Sequence, residues 1–217
     1  MVREGYWTMG AAVAAGAVLG FTGWPAAAAG ALLLGALLAL FFRDPHRVAP
    51  RDPSLVLAPG DGRVVEVGDA DAEARSLGFP RRVAIFLSVF DVHVNRAPIA
   101  GRVERIEHRP GRFRAAFDRR ASDENSRFTW WLRGSSGALL FRQVAGVLAR
   151  RIVIWKQPGD WVEAGERVGL IRLGSRVEVL FPDPVEFLVR VGDRVRGGES
   201  PLARRPPPPR ELSGGLR

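Results

Sequence analysis

The chain contains no cysteine. That excludes disulfides, thiolate metal sites and cysteine nucleophiles, and no metal is expected. Of 32 basic residues only Lys156 is a lysine, so a lysine-bound cofactor has one address. There are three histidines, His46, His93 and His108, which keeps the search for a base that works near neutral pH short. Charge is missing from a whole region: residues 1–42 carry only Arg3 and Glu4, and every other charged residue lies in 43–217. Helical periodicity is scarce after residue 54. A uniformly soluble chain and a multi-span transporter are both excluded by that division.

What fills the uncharged region is Ala, Gly, Leu and Val, broken by Thr22-Gly23-Trp24-Pro25. A bilayer-spanning helix needs about 20 apolar residues. The stretch is long for one span and slightly short for two. Gly23 and Pro25 sit where a turn belongs, and Trp24 suits an interface. The reading is a membrane-anchoring hairpin over 1–42, with helices at 8–22 and 26–42 and one kinked span as the rival. A cleaved signal peptide fits less well, because the apolar part is too long. Arg43, Arg47 and Arg51 follow directly, which puts the main domain on the cytoplasmic face of a cell membrane. The net charge of +9 then has a partner in an anionic leaflet. No nucleic-acid partner is expected: the basic residues are interspersed with acids, and no basic helix or aromatic–basic sheet motif is present.

From residue 54 the texture is β. Runs rich in Val, Ile and Phe are bounded by Gly, Pro and Asp. The expected strands are 63–67, 82–89, 102–108, 127–133, 137–143, 151–155, 168–173, 175–181 and 185–190, with one short helix within 112–121. A sandwich or barrel follows. The frame G-D-x-V-x-x-G-E occurs at Gly159–Glu166 and again at Gly192–Glu199, 33 residues later. It resembles the half-motif of the biotinyl and lipoyl carriers, so the fold expected is a mainly β, barrel-sandwich-hybrid-like domain behind the helical hairpin. Carriers need a modified lysine on a hairpin tip. Lys156 precedes the first motif, so the frame speaks to fold and not to function. The tail 201–217, with Pro206 to Pro209 and then Ser213-Gly214-Gly215, reads as disordered, and the β domain is taken to end at 202 with the tail from 203 to 217.

Three places interrupt the β pattern. In Phe86–Pro98, Asp91, His93, Asn95 and Arg96 break a strongly apolar run. Buried polar groups cost roughly 1–3 kcal/mol each if unpaired, so a fold keeps such a cluster for structural pairing or for chemistry. Asp61 stands between Gly60 and Gly62, where an ordinary turn is the simpler reading. Gly174-Ser175 separates two β runs, as a bulge or break would. His46 beside Arg43 and Arg47 reads as interfacial, and His108 as part of a solvated strand. Singly, none of these names an activity.

Taken together, from about Phe41 to Leu202, they resemble the short prokaryotic phosphatidylserine decarboxylases, a pyruvoyl-dependent family. The matching stretches are Phe42-Arg43-Asp44-Pro45 with Pro50, Pro59–Val64, Phe86–Arg102, Asp118–Arg127, Val144-Ala145-Gly146 with Ala149–Ile152, and Gly165-Glu166-Arg167 running into Leu173–Val177. Two departures stand out. Gly60 replaces a frequent Ala or Val. Phe90 occupies the place of an additional histidine in the longer forms, so no role of that histidine carries over.

The resemblance implies a proenzyme, a zymogen of lipid biosynthesis, that cleaves itself between Gly174 and Ser175. The Ser175 hydroxyl would attack the Gly174 carbonyl, with His93 as base and Asp61 holding the tautomer of His93. β-Elimination would leave dehydroalanine at 175, which hydrolyses to a covalent pyruvoyl group, the only cofactor implied. A large chain, 1–174, and a small chain, 175–217, would remain together as a heterodimer within the decarboxylase domain 43–202; a higher oligomer stays open. The lyase would then take its phospholipid substrate through a Schiff base at position 175, releasing CO2 and phosphatidylethanolamine, the pyruvoyl serving as electron sink. Arg63, Arg96 and Arg176 are candidate contacts for the lipid phosphate. The competing reading is a membrane-tethered, non-catalytic, carrier-like β module.

Overall fold

In a computed structural model the described residues are 3–115, 118, 120–147, 151–171 and 174–205. Two helices open the chain, α1 (Arg3–Phe21) and α2 (Pro25–Phe41). Both start before the expected positions, because no residue from Arg3 to Phe21 disfavours a helix strongly enough to delay it. The break falls at Gly23, whose φ of +80° only glycine adopts freely, and Pro25 opens α2 where a missing N–H is harmless. Small residues let the two helices close into an antiparallel hairpin. A Cβ on Gly16 would lie 3.0 Å from the Leu32 side chain, and one on Gly35 3.1 Å from Ala12. Among the described residues no helix is long and apolar enough to cross a membrane. Leu33, Leu34, Leu37, Phe21 and Trp24 are nonetheless exposed along the hairpin.

The rest is mainly antiparallel β. The strands are β1 (Leu55–Leu57), β2 (Gly62–Asp69), β3 (Arg81–Leu87), β4 (Val94–Arg96), β5 (Gly101–Arg109), β6 (Arg127–Gly134), β7 (Gly137–Val144), β8 (Ile152–Ile154), β9 (Trp161–Val162), β10 (Arg167–Ile171), β11 (Ser175–Phe181), β12 (Glu186–Phe187), β13 (Arg194–Val195) and β14 (Pro201–Arg204). Eight of them form one curled sheet in the order β13-β2-β3-β11-β7-β6-β5-β9. Two three-stranded sheets, β1-β14-β12 and β4-β10-β8, complete the domain. The main core lies on the concave side, where Val64, Val83, Ile85, Trp130, Phe141, Val177 and Val179 pack together.

The repeated frame builds a two-fold-like arrangement. Gly198 donates its N–H to the Ala58 carbonyl, and Gly165 donates to the Ala97 carbonyl, both at 2.8 Å. Val64 and Val103 likewise receive equivalent backbone bonds from the two frames, Gly192 N–H to Val64 O and Gly159 N–H to Val103 O. The frames meet at Gly165 and Gly198, where a Cβ on Gly165 would lie 3.1 Å from the Gly198 carbonyl oxygen. Lys156 is ion-paired with Glu166 at 2.5 Å.

Three expectations need correction. The tail does not begin at 203: Pro201–Arg204 is a strand between β1 and β12, held by Leu202 and Ala203 in the core, and residues 206–217 lie outside the described set. A short helix is expected within 112–121, of which 116, 117 and 119 lie outside the described residues; the helix present, α4 (Ala121–Glu124), begins at the last residue of that window and runs beyond it. A further helix, α3 (Ala72–Ser76), was not expected. Asp71 caps it by accepting the Ala74 N–H at 2.9 Å.

Around β11 and β7 the convex face of the curled sheet is buried too, under α3 and α4. Along β11, Val177, Val179 and Phe181 face the core, while Arg176 and Glu178 alternate to the convex face. There Arg176 pairs with Glu66 at 2.9 Å and Glu178 at 2.7 Å, and Arg142 pairs with Asp71 at 2.5 Å. Ser122 of α4 donates to Glu178. Burial drives the Glu178 carboxyl up, but Arg176, Arg82 and Arg142 outweigh it and hold Glu178 below the usual carboxylate range.

Candidate active site at the start of a central strand

Three turns converge on one corner of the curled sheet. The first is Gly60-Asp61-Gly62, leading into β2. A Cβ on Gly62 would lie 2.1 Å from the Phe86 carbonyl oxygen, so only glycine fits beneath β3. A Cβ on Gly60 would sit 3.2 Å from Leu87, 3.3 Å from Asn95 and 3.5 Å from Val177, which places this turn against the other two. The second is the loop from Ser88 to His93. Its bend is closed by Asp91, whose carboxylate accepts from the Ser88 N–H at 2.8 Å and the Ser88 hydroxyl at 2.7 Å. The third is Gly174-Ser175, at the head of β11.

Ser175 lies opposite Leu87, the residue at which the second turn begins. Ile171, four residues before Ser175, donates its N–H to the carbonyl of His93, where that turn ends. Gly174 has φ +64°, a left-handed conformation that costs other residues about 1 kcal/mol or more. A Cβ there would meet nothing within 4 Å, so backbone conformation rather than crowding calls for glycine.

Ser175 and His93 are both fully buried. The Ser175 Oγ and both ring nitrogens of His93 have no hydrogen-bond partner among the described residues. Most buried polar atoms are paired, so three orphans in one corner call for a reason. Burial lowers the pKa of His93 from 6.5 to about 4; nearby Asp91 offsets this in part, and Arg43 adds to it. The imidazole is therefore neutral at pH 7 and able to accept a proton.

Asp61 is engaged by donors other than His93. Its carboxylate accepts from Arg47 at 2.7 Å and from the Gly197 N–H at 2.8 Å. Desolvation pushes its pKa up, against those two donors. The Asp61–His93 hydrogen bond expected from the sequence is not made, because Arg47, on the linker after α2, takes the carboxylate. Arg47 also binds Glu199, the last residue of the second repeated frame.

The sequence reading missed Phe41. Its ring lies 4.2 Å from the His93 ring, and Phe42, Val92, Val94 and Leu170 pack around that contact. The end of the apolar hairpin thus forms a wall of the site. The signal available was proximity in kind, an aromatic pair ending an apolar helix, but nothing local linked it to His93.

The other expected residues fall elsewhere. His46 is exposed. His108 is exposed, stacked on Phe128 at 4.5 Å and bonded to the Ser126 hydroxyl. Phe90 is 73% exposed at the tip of the second turn. Of the three arginines considered for phosphate, Arg96 is committed to Asp44 and the Gly165 carbonyl, and Arg176 to the convex-face ion pairs. Arg63 alone is exposed.

Fold and site together describe a class: an antiparallel β protein in which a buried hydroxyl, unpaired among the described residues, directly follows a left-handed glycine at the head of a central strand, with a buried imidazole at the end of the loop that follows the neighbouring strand. The family follows from comparison. The phosphatidylserine decarboxylase family model matches residues 34–203. A phosphatidylserine decarboxylase proenzyme of Symbiobacterium thermophilum is 45% identical over 209 residues, 95% of this chain and 96% of the relative. That of Solibacter usitatus is 40% identical over 205 residues, 94% and 97%, and that of Desulfotalea psychrophila 44% over 174 residues, 80% and 81%. The chain belongs to the phosphatidylserine decarboxylase family.

Proposed function

We propose that the chain is a phosphatidylserine decarboxylase proenzyme that cleaves itself between Gly174 and Ser175. The observation that carries this reading is the set of orphaned polar atoms, Ser175 Oγ and the His93 ring, beside Gly174. His93 takes the hydroxyl proton, and Ser175 Oγ attacks the Gly174 carbonyl carbon, exchanging the peptide for an ester. Loss of the Ser175 α-proton then expels the Gly174 carboxylate. Water replaces the resulting enamine nitrogen, which leaves as ammonia, and a pyruvoyl group remains at 175. The residues present suit that group: its position is buried, its precursor hydroxyl is uncommitted, and Gly174 is unobstructed.

Once formed, the pyruvoyl carbonyl supplies an electron sink for loss of CO2 from an amino acid headgroup. The chain's own residues do the rest. His93, neutral at pH 7, holds or returns a proton. Phe41 and the surrounding apolar residues exclude water from its ring. Asp61 acts at one remove, fixing Arg47 and the Gly197 turn on the Gly60–Gly62 side of the site. Cleavage leaves the small chain, 175–217, in place: its β11 lies between β3 and β7, with β12, β13 and β14 anchored on strands of the large chain or on each other.

The hairpin 1–42 seats the domain 43–202 on one membrane leaflet without crossing it, with the domain on the cytoplasmic side. Exposed leucines on α2 and its direct contact with His93 through Phe41 support this arrangement, since a lipid headgroup then reaches the site without leaving the surface. The duplicated Gly–Asp frames, related by their matching bonds to Ala58 and Ala97, support kinship with the barrel-sandwich-hybrid fold.

The test is the mass of the purified protein together with carbonyl trapping. Two chains divided after Gly174, the smaller one blocked at its N-terminus and labelled by borohydride or a hydrazine, are expected. One intact 217-residue chain with no reactive carbonyl, purified after native expression, would overturn the reading.

A further inference from the structure

Far from Ser175, a cavity of about 320 Å³ opens between the linker after α2 and the β6–β7 turn. Its wall includes Arg51 and Asp52 of the linker, Ser135 and Ser136 of the turn, Glu163, and Arg205. Gly137, at the same end of β7, lies seven residues from Val144, which pairs with Arg176 beside the cleavage site. At a strand rise of about 3.4 Å per residue, the two sites are separated by roughly 24 Å along that strand.

Arg205 is the unusual member. It is 6% exposed, yet no carboxylate among the described residues pairs with it. Among the described residues its one side-chain hydrogen bond is a long one, 3.4 Å to the Gly137 carbonyl. The backbone fixes its place, with the Arg205 N–H bonded to Ser54 O at 2.9 Å. Gly137 makes room for it: a Cβ there would lie 3.1 Å from Arg205 Nη2. Every buried arginine of the convex face has its carboxylate, and this one has a cavity instead. A buried guanidinium left unpaired is expensive, and its forked donors suit planar or tetrahedral oxyanions.

We propose that this cavity binds a phosphate-class oxyanion on Arg205, with the Ser135 and Ser136 hydroxyls at its rim. The two carboxylates in the wall do not cancel the site. Asp52 is engaged by the Ser54 N–H and hydroxyl, and Glu163 by the Trp161 indole. Both are exposed, so they meet the outer end of a ligand while Arg205 meets the inner end. The volume suits a headgroup-sized ligand. The ligand is a free phosphate or the phosphodiester of a lipid headgroup. The inference does not depend on the decarboxylase reading.

Thermal unfolding of the full chain with inorganic phosphate, and separately with sn-glycero-3-phosphoethanolamine, tests it. Wild type should gain about 5 °C or more at a hundredfold excess over Kd. Arg205→Met should lose that gain. Ser136→Glu, which places a fixed carboxylate at the rim in an exposed turn, should lose it as well and keeps the test open if Arg205→Met does not fold. Tighter binding of the phosphodiester would identify a lipid headgroup as the source, through its ammonium and the two rim carboxylates; equal or tighter binding of phosphate would identify the free ion. No gain in wild type, or an equal gain in both variants, would overturn the proposal.

Discussion

β11 borders two buried polar regions that lie within four residues of each other and are built on opposite terms. On the convex face, Arg176 and Glu178 are surrounded by opposite charge, with Glu66, Asp71, Arg82 and Arg142 completing a paired network. Among the described residues, Ser175 Oγ at the strand's first position has no hydrogen-bond partner, and His93, buried in the adjoining loop, has no carboxylate bonded to its ring. Paired burial of this kind holds secondary elements in register and tolerates no missing member. Unpaired burial costs stability and leaves reactive groups free to act. What separates the two regions is opposite charge: the convex-face groups are ion-paired even where single nitrogens or oxygens lack a hydrogen bond, whereas among the described residues no ion pair holds Ser175 or His93.

The sharpest break of this comparison is Ser175→Ala. It should abolish self-cleavage and decarboxylation completely while leaving the fold intact, as intact-mass and headgroup-release assays would record. Phosphatidylethanolamine made by that variant would remove the pyruvoyl assignment. His93→Ala should also stop maturation without unfolding the β domain; normal processing would take the base role from His93.

Glu178→Gln should do the reverse. Removing the carboxylate takes one partner each from Arg82, Arg142 and Arg176, leaving Glu66 and Asp71 to offset three guanidinium groups, and a broken buried pair typically costs about 3–5 kcal/mol. Denaturant unfolding in the Ser175→Ala background, where one species is present, measures this. A change below 1 kcal/mol, on the order of a surface pair, would mean the network is not structural.

A smaller effect concerns pH. His93 has a folded pKa of about 4 against 6.5 unfolded, so the unfolded chain binds the extra proton between those values. Its contribution is present above pH 6.5 and is lost as pH falls toward 4. The loss amounts to roughly 2–3 kcal/mol. Stability curves of Ser175→Ala with and without His93→Phe should diverge in that window and nowhere above it. The smallest effect is that of Phe41→Ala, which admits water to the ring. The His93 pKa should rise by about one unit, as NMR titration of the imidazole would show; an unchanged value would mean that Phe41 does not control its desolvation.

Much of this was legible in the residues. The apolar hairpin and its turn at Gly23 followed from missing charge and from glycine and proline chemistry. β2, β5, β6, β7 and β11 emerged close to their observed bounds, because each alternates or runs apolar between turn residues. Short pieces fared worse. α3 spans Ala72–Ser76, too few residues to show a helical period, and it forms because Asp71 caps it and Ala74 packs beneath it. The strand 201–204 looked like the start of a tail, since Pro201 and the prolines after Arg205 mask a four-residue pairing with β1. For the site, Ser175, Gly174 and His93 were singled out by the way they interrupt β runs. The partner of Asp61 was not legible: Arg47 is one of several arginines on a linker, and only its path across the domain brings it to that carboxylate.

Local order of residues was enough to settle where charge is forbidden, where strands run and which glycines must turn, because those depend on periodicity and on backbone sterics within a few residues. Only the folded chain decided which buried polar groups are paired. Arg176 reads as a candidate phosphate contact until the fold surrounds it with Glu66 and Glu178, and the Asp61 carboxylate, expected beside His93, is held by Arg47. Pairing depends on side chains from distant segments meeting at hydrogen-bond distance, and no pattern along one segment records that meeting.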